Sequence, residues 1–284
     1  MNGMQVVWLV GGDGQVGQEI IRQLKYGEVE ILSTDIDEVD ITDAKEVMMF
    51  ADMNRPHYII NCAGYTDVAL CEENPEKAYK VNAIGARNLS AAARKYGARM
   101  IQLSTDDVFD GKSEVPYTEF DTPNPRTIYG KSKLAGENFV RELTTKHNII
   151  RSSWIYGNGQ NYVRQVLDLA KGRQPIEAAS DQISAPTSAK YLAKKILHLM
   201  KQEEDGIFHI TCGGTCSRYE FAKEILRLAG MENEVVPVSR KEDELVSMRP
   251  KYSVLDNMML RLSDIDLLPD WKECLKEYIV SQKG

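Results

Sequence analysis

The sequence predicts an α/β fold, a doubly wound parallel sheet followed by a smaller C-terminal lobe. Short β-rich runs alternate with helix-patterned segments through the first half, as in sheets wrapped by helices on both faces. The β-rich runs are almost continuously apolar, as strands covered on both sides must be. Proline then becomes frequent, at Pro116–Pro125 and around Pro175, Pro186, Pro237 and Pro250, and regular alternation fades. The 284 residues, 43% of them hydrophobic, suffice for one large domain or two modest ones.

The first strand is Gln5–Val10, and apolar residues at helical spacing follow at Val16, Ile20, Ile21 and Leu24. A second strand spans Glu30–Thr34, and the helix after it runs from Val47 to Met53, with Asp43 placed to cap it. Tyr58–Asn61 is the third strand. Asn74-Pro75 opens a further helical turn, and Ala83 to Tyr96 reads as a helix. Strands at Arg99–Ser104 and Asn148–Ser152 enclose a helix whose apolar stripe is Leu134 to Leu143. In the second half, helices at Thr187–Met200 and Tyr219–Ala229 flank one clear strand, Gly206–Thr211. The expected division is residues 1–156 for the first domain and 157–284 mainly for the lobe, with a strand and helix from about 187–217 returning to the sheet.

Gln5–Val10 runs directly into Gly11-Gly12-Asp13-Gly14-Gln15-Val16-Gly17 and then a helix. The segment fits G-x-G-x-x-G through Gly12, Gly14 and Gly17, and G-x-x-G-x-x-G through Gly11, Gly14 and Gly17. Glycines there permit a tight turn and close approach of the backbone to a pyrophosphate, while the helix N-terminus offers N–H groups and a positive dipole end. Strand, loop and helix occur in the order a Rossmann-type dinucleotide site requires. Asp35 lies 18 residues after Gly17, where a carboxylate grips a ribose 2′-OH and repels a 2′-phosphate, which favours NAD(H); Asp37 and Asp40 are alternatives.

Tyr129 and Lys133 in Tyr129-Gly130-Lys131-Ser132-Lys133 stand at i, i+4 on a helix starting at Ile128, and so share a face. Free tyrosine has a pKa of about 10, and a nearby ammonium is expected to lower it; a drop to near 7 would correspond to ~4 kcal/mol. That tuning suits reversible carbonyl/alcohol chemistry. The fourth strand ends in Ser104-Thr105-Asp106-Asp107, at the strand end that opens onto the ligand crevice, and the Thr105 hydroxyl could bond a substrate carbonyl. Asn61-Cys62-Ala63-Gly64-Tyr65-Thr66 after the third strand offers small residues against a cofactor ribose.

Composition narrows the classes. With 35 Lys+Arg against 42 Asp+Glu, the net charge is −7, and no basic stripe suggests a nucleic-acid partner. No apolar run approaches the ~18 residues of a membrane span, and Met1-Asn2-Gly3-Met4 passes at once into a strand without signal-peptide character. Five scattered cysteines lack zinc spacing, so the expectation is a reduced cytoplasmic protein with buried thiols and no metal ligand cluster.

Taken together, GGDGQVG (11–17), NCAGYTDV (61–68), LSTDDVFDG (103–111), YGKSK (129–133), RSSWIYG (151–157), DQISAPT (181–187) and RPKYSVLDN (249–257) resemble the extended short-chain dehydrogenase/reductase family, and within it the dTDP-4-dehydrorhamnose reductase branch. The resemblance covers nearly the whole chain. It implies reduction by NADH or NADPH of the C4 keto group of a dTDP-4-keto-6-deoxy sugar, with Thr105, Tyr129 and Lys133 as the catalytic group and Tyr129 as proton donor. It further implies that Gln15, Val16, Asp35, Asp40, Ala63, Gly64, Tyr65 and Leu103 line the cofactor, and that Asp106 and Trp154 meet the nucleotide sugar. Arg249 would hold the diphosphate through bidentate geometry, or serve as a surface ion-pair partner. Mg2+ enters only through the family, as does the choice between monomer and homodimer.

Asp107 departs from the branch, which commonly has Tyr there, and resembles the acid in the Thr-Asp-Glu triplet of nucleotide-sugar dehydratases. On an extended segment Asp106 and Asp107 should point to opposite sides, leaving Asp107 away from the sugar. The competing readings are a dehydratase or epimerase that recycles its NAD, and a non-catalytic NAD(P)-binding regulatory subunit.

Overall fold

Strand β1 (Gln5–Val10) turns at Gly11 into α1 (Gln15–Gln23), and β2 (Val29–Thr34), α2 (Ala44–Asn54) and β3 (Tyr58–Asn61) follow. Then come α3 (Val68–Glu73), α4 (Pro75–Tyr79), α5 (Ala86–Tyr96), β4 (Arg99–Thr105), α6 (Ile128–Leu143) and β5 (His147–Ser152). The computed structural model describes residues 4–24, 29–172, 174–202, 204–239 and 249–282; Met1–Gly3, part of the N-terminal reading, lie outside them. Beyond β5 the chain forms β6 (Ile155–Tyr156), α7 (Tyr162–Ala170), β7 (Ile176–Ala179), β8 (Ile183–Ser184) and β9 (Thr187–Ser188). It continues through α8 (Ala189–Gln202), β10 (Gly206–His209), β11 (Cys216–Ser217), α9 (Arg218–Ala229), β12 (Val235–Val238), α10 (Met258–Leu262) and α11 (Trp271–Ser281).

Among the described residues the main sheet has six strands in the order β10-β5-β4-β3-β1-β2, and every pairing is parallel. The chain runs outward from β1 to β2 and then crosses back to β3 on the other side of β1, so the switch point lies between β1 and β3, where such sheets open a crevice at their carboxyl ends. Successive residues of one strand feed opposite layers. Val7 and Leu9 pack towards Ile20 of α1 and Leu192 and Ile196 of α8, whereas Trp8 and Val10 pack towards Val47 of α2 and Leu89 of α5. Strand β10 pairs with β5, and α8 lies against α1. The lobe contributes small two-stranded pairs, β7 with β12 and β8 with β11.

Local chemistry explains the helix starts. The Asp43 side chain accepts from the N–H groups of Lys45 and Glu46, Thr127 accepts from Gly130, and Ser217 with Glu220 forms a reciprocal capping box. Pro75 is the first residue of α4, although the Asn74 side chain makes no cap bond there. One helix differs from expectation: the segment before Ala86 is a single π-helical turn, Lys80–Gly85. Strand β10 also stops at His209, because Thr211 is engaged instead by Asn257, whose side chain accepts from its N–H at 3.0 Å. No described helix is long and apolar enough to cross a membrane.

Candidate active site

The carboxyl ends of the strands open into a cleft of about 1020 Å³, with Gly11, Gly14 and Asp35 on one side and Trp154, Arg218 and Arg249 on the other. Gly11 has φ +78°, and a Cβ there would sit 2.6 Å from the Ala63 nitrogen, so the β1 and β3 loops meet only because this residue is glycine. A Cβ on Gly17 would lie 2.3 Å from the Gly11 carbonyl oxygen. Gly14 instead meets only the Gly11 oxygen at 3.3 Å, and the helix it starts carries no side-chain cap. An uncapped helix start behind a glycine that leaves room for a ligand fits a dinucleotide pyrophosphate. Asp35 accepts from the Asp13 N–H at 3.3 Å, tying this loop to the end of β2.

The chemistry-bearing side chains gather at the end of β4. Thr105 donates to Asp106 Oδ1 at 3.1 Å and accepts from the Asp107 N–H at 3.2 Å. Asp106 Oδ2 accepts from Ser253 Oγ at 2.5 Å and Ser184 Oγ at 3.4 Å, so the lobe grips this carboxylate from two segments. Burial, then the neighbouring Asp107, pushes the Asp106 pKa up. Tyr129 is buried beside them. Burial first and Asp107 second raise its pKa, while a hydrogen bond with the Thr105 side chain and the Arg249 charge oppose the rise. The direction is opposite to the lowering expected from Lys133. Lys133 Nζ donates to the Leu103 carbonyl at 2.6 Å, and burial pulls its pKa down to about 8.

Asp106 borders the cleft and Asp107 does not, as expected, although not through strand alternation. The strand ends at Thr105 and the backbone closes into a 3-10 turn at Asp106–Val108, so neighbouring side chains no longer alternate. Asp107 is buried, with Oδ2 3.4 Å from Arg249 Nε. Its carbonyl oxygen lies 2.1 Å from where a Cβ on Gly130 would be, which explains the glycine next to Tyr129.

The model of the RmlD substrate binding domain matches residues 4–283. The chain belongs to that family. It is 38% identical to the spore coat polysaccharide biosynthesis protein SpsK of Bacillus subtilis (strain 168), over 97% of both chains. A solved dTDP-4-dehydrorhamnose reductase of Clostridium acetobutylicum superposes with TM-score 0.95 at 44% identity, covering 99% of this chain and 100% of the other. Another from Bacillus anthracis, solved with NADP, gives TM-score 0.95 at 39% identity, covering 98% and 99%. The chain is thus an oxidoreductase of the RmlD family with an NAD(P)-type fold.

Against that family background, Gly11, Gly14, Gln15, Val16, Asp35, Ala63, Gly64, Leu103, Thr105, Asp106, Tyr129, Trp154 and Arg249 all border the cleft. Gly17 lies inside the loop and Lys133 beneath the cleft floor. Asp40 and Tyr65 are not on the cleft lining. Asp40 accepts from the Thr42 N–H at 2.8 Å, and Tyr65 packs behind Tyr129. Among the described residues no group of three or more His, Cys, Asp or Glu side chains is arranged to hold a metal ion. The cysteines are free thiols; Cys212 and Cys274 touch at 3.5 Å between sulfurs, a contact that spacing could not disclose.

Three contributors escaped the sequence reading. Asn82, in the π-helical turn, accepts from the Tyr65 N–H at 2.8 Å and donates to the Tyr65 carbonyl and Ser132 Oγ, both at 2.9 Å, clamping the β3 loop to α6. Beneath the site, buried Glu137 receives Arg151 through two N–H bonds at 3.0 and 2.7 Å and Ser104 Oγ at 2.6 Å. Glu137 stands one turn after Lys133, a spacing that was visible without its partner. Arg218 is the third.

Proposed function

We propose that this chain reduces the C4 keto group of a dTDP-4-keto-6-deoxy sugar with NAD(P)H, taking dTDP-4-dehydrorhamnose to dTDP-L-rhamnose. The observation that carries this reading is that Thr105, Asp106 and Tyr129 face one cleft between an uncapped glycine-loop helix and the Trp154 wall. The similarity to solved dTDP-4-dehydrorhamnose reductases supports the substrate class.

Gly11, Gly14, Gln15 and Val16 would hold the pyrophosphate, Asp35 the adenosine ribose, and Ala63 and Gly64 the remainder of the dinucleotide. When bound, the reduced nicotinamide supplies the hydride that C4 receives. Tyr129 gives its hydroxyl proton to the sugar O4. The raised Tyr129 pKa keeps the phenol protonated until alkoxide charge develops on O4. Thr105, whose hydroxyl is held by Asp106, borders the cleft together with Tyr129. Lys133 still carries its proton at neutral pH and sits one helical turn from Tyr129, where its charge offsets the phenolate left behind. Asp107 is tied to Arg249 rather than presented as a second acid, which supports reduction over elimination of water.

The test is incubation with dTDP-4-keto-6-deoxy-L-lyxo-hexulose and NADH or NADPH, following cofactor absorbance and product mass. The expected product carries two added hydrogens, with one NAD(P)H consumed for each. Loss of water from dTDP-glucose without net cofactor oxidation would instead assign a dehydratase. Cofactor binding with no turnover would assign a regulatory subunit.

A further inference from the structure

We infer that Arg249 serves the reacting end of the cleft and not the diphosphate: paired with Asp107, it is the counter-charge of the two carboxylates after β4 and a positioning residue for Tyr129. The inference rests on the reduction proposed above and names the group that keeps its proton donor effective.

The segment that carries Arg249 is stitched to both sides of the site. The Lys251 carbonyl accepts from the Ile183 N–H of β8 at 2.8 Å, and the Ser253 N–H donates to the Ile183 carbonyl at 2.9 Å. On the other side the Val254 carbonyl accepts from the Tyr117 N–H at 2.8 Å. Pro250 lies on the turn at Gly111, where a Cβ would sit 2.6 Å from the Pro250 Cα. Ser253 then gives its hydroxyl to Asp106 at 2.5 Å, and four residues earlier Arg249 brings Nε to 3.4 Å from Asp107 Oδ2. One stretch of the lobe thus answers both carboxylates of the β4 turn, one with a hydroxyl and the other with a charge. Arg218 also borders the cleft, but it lies over Trp154, with its guanidinium carbon 3.6 Å from the ring centroid.

Asp107 needs that charge. Among the described residues no hydroxyl or N–H hydrogen-bonds to its buried Oδ2, so the guanidinium beside it is what compensates the carboxylate. The same cation acts on the neighbours. Burial and then Asp107 push Asp106 up to about 6, and Arg249 opposes them ahead of Ser253 and Thr105. At Tyr129, burial and Asp107 favour the phenol, whereas Thr105 and Arg249 favour the phenolate left after proton transfer. The other ionisable groups facing this turn are Lys133, one turn along α6, and Cys71 of α3. Burial first, then Asp67, Glu72 and Asp107, push that thiol up to about 11 and keep it neutral. Without Arg249, Asp107 would stand as a bare negative charge beside the forming phenolate, and Tyr129 would release its proton less readily.

The experiment joins a titration to kinetics on wild type, Arg249→Gln, Arg249→Lys, and Arg249→Gln combined with Asp107→Asn. Carboxyl 13C NMR follows Asp106, its signal assigned by its loss in Asp106→Asn. The midpoint should move from about 6 to about 7 or higher in Arg249→Gln, stay near wild type in Arg249→Lys, and fall back in the double variant. In turnover with the keto sugar and saturating NAD(P)H, Arg249→Gln should lower kcat by about tenfold or more and raise KM less. The solvent deuterium isotope effect on kcat should grow, because proton transfer from Tyr129 has slowed. Adding Asp107→Asn should restore most of the lost kcat, and Arg249→Lys should keep most of it. An Asp106 midpoint unmoved in Arg249→Gln would overturn the inference. So would a rise in KM with kcat intact that Asp107→Asn does not relieve, the pattern of a diphosphate ligand. Lost stability with an unchanged isotope effect would leave a structural ion pair and overturn the positioning role. Where Arg249→Gln fails to fold, the double variant and Arg249→Lys carry the test, and a fall in kcat beyond about tenfold in either contradicts the inference. A midpoint that moves as expected in an enzyme that reduces no keto sugar would uphold Arg249 as the counter-charge and sink the proposed reaction alone.

Discussion

The two halves of the cleft are built on different plans. The cofactor half comes from backbone and glycine in two short contiguous stretches, with Gly11 of the β1 loop packed against Ala63 of the β3 loop. The substrate half is assembled from side chains far apart in sequence. Asp106 takes hydroxyls from Ser184 and Ser253, 78 and 147 residues away, and Arg218 rests on Trp154. A site made of backbone turns leaves a signature at fixed spacing, whereas a site made of long-range side-chain contacts leaves single residues with no pattern. Tyr129 stands where the halves meet, and substitutions should divide along that line.

The largest effect is expected at the junction. Tyr129→Phe keeps the ring and its packing but loses the proton, so kcat should fall by about 100-fold to 10,000-fold, while dinucleotide affinity measured by fluorescence titration barely moves. A parallel loss of cofactor affinity would mean that Tyr129 belongs to the cofactor half alone. Next in size is Gly17→Ala. Its Cβ would press within 2.3 Å of the Gly11 carbonyl oxygen and must displace the loop. Dinucleotide binding should weaken by about 100-fold, corresponding to ~2.7 kcal/mol, with the affinity for dTDP nearly retained.

On the substrate side, Ser253→Ala removes the 2.5 Å bond to buried Asp106. Hydrogen bonds to charged groups contribute about 1.5–3 kcal/mol, so KM for the nucleotide sugar should rise about tenfold or more, with cofactor affinity unchanged. The pH profile addresses the floor of the cleft. Lys133 is protonated below its pKa of about 8 and loses its charge above it, so kcat for reduction should decline as pH rises through that value. A profile flat from neutrality to well above that pKa would remove Lys133 from the rate. The smallest effect concerns Asp35, which borders the cleft at the end of β2. Wild type should bind NADH at least as well as NADPH, and Asp35→Ala should shift that ratio towards NADPH by roughly tenfold or less. A wild-type preference for NADPH would show that another group reads the ribose.

How much of this was legible follows the same division. Strands β1 and β3 match their sequence-based bounds because β-rich apolar runs between turn signals have few alternatives. Gly11 and Gly17 were legible because only glycine tolerates those approaches, and Gly14 because it completes the spacing of the motif. Asp107 stays off the cleft lining as expected, but through a 3-10 turn, which carries no periodic signal in three residues, and not through strand alternation. Tyr129 and Lys133 were legible as a helical pair, but the sign of the tyrosine shift was not. Desolvation and the Asp107 charge outweigh the opposing effects of Thr105 and Arg249, and burial is a tertiary property. Arg218 and Asn82 were invisible for the reason that Ser184 and Ser253 were, since each acts through contacts distant in sequence.

The central claim is that both halves act on one carbonyl, with hydride arriving from the cofactor side and a proton from Tyr129. It is tested most directly by a single turnover with NAD(P)H deuterated at the transferable position of the nicotinamide, with the dTDP-4-keto-6-deoxy sugar as acceptor, read by NMR of the product. The account predicts deuterium at C4 of the sugar, one for each cofactor oxidised, and in Tyr129→Phe the same label appearing at a greatly reduced rate. Product formed without deuterium at C4, or turnover that leaves the label on the cofactor, would contradict it.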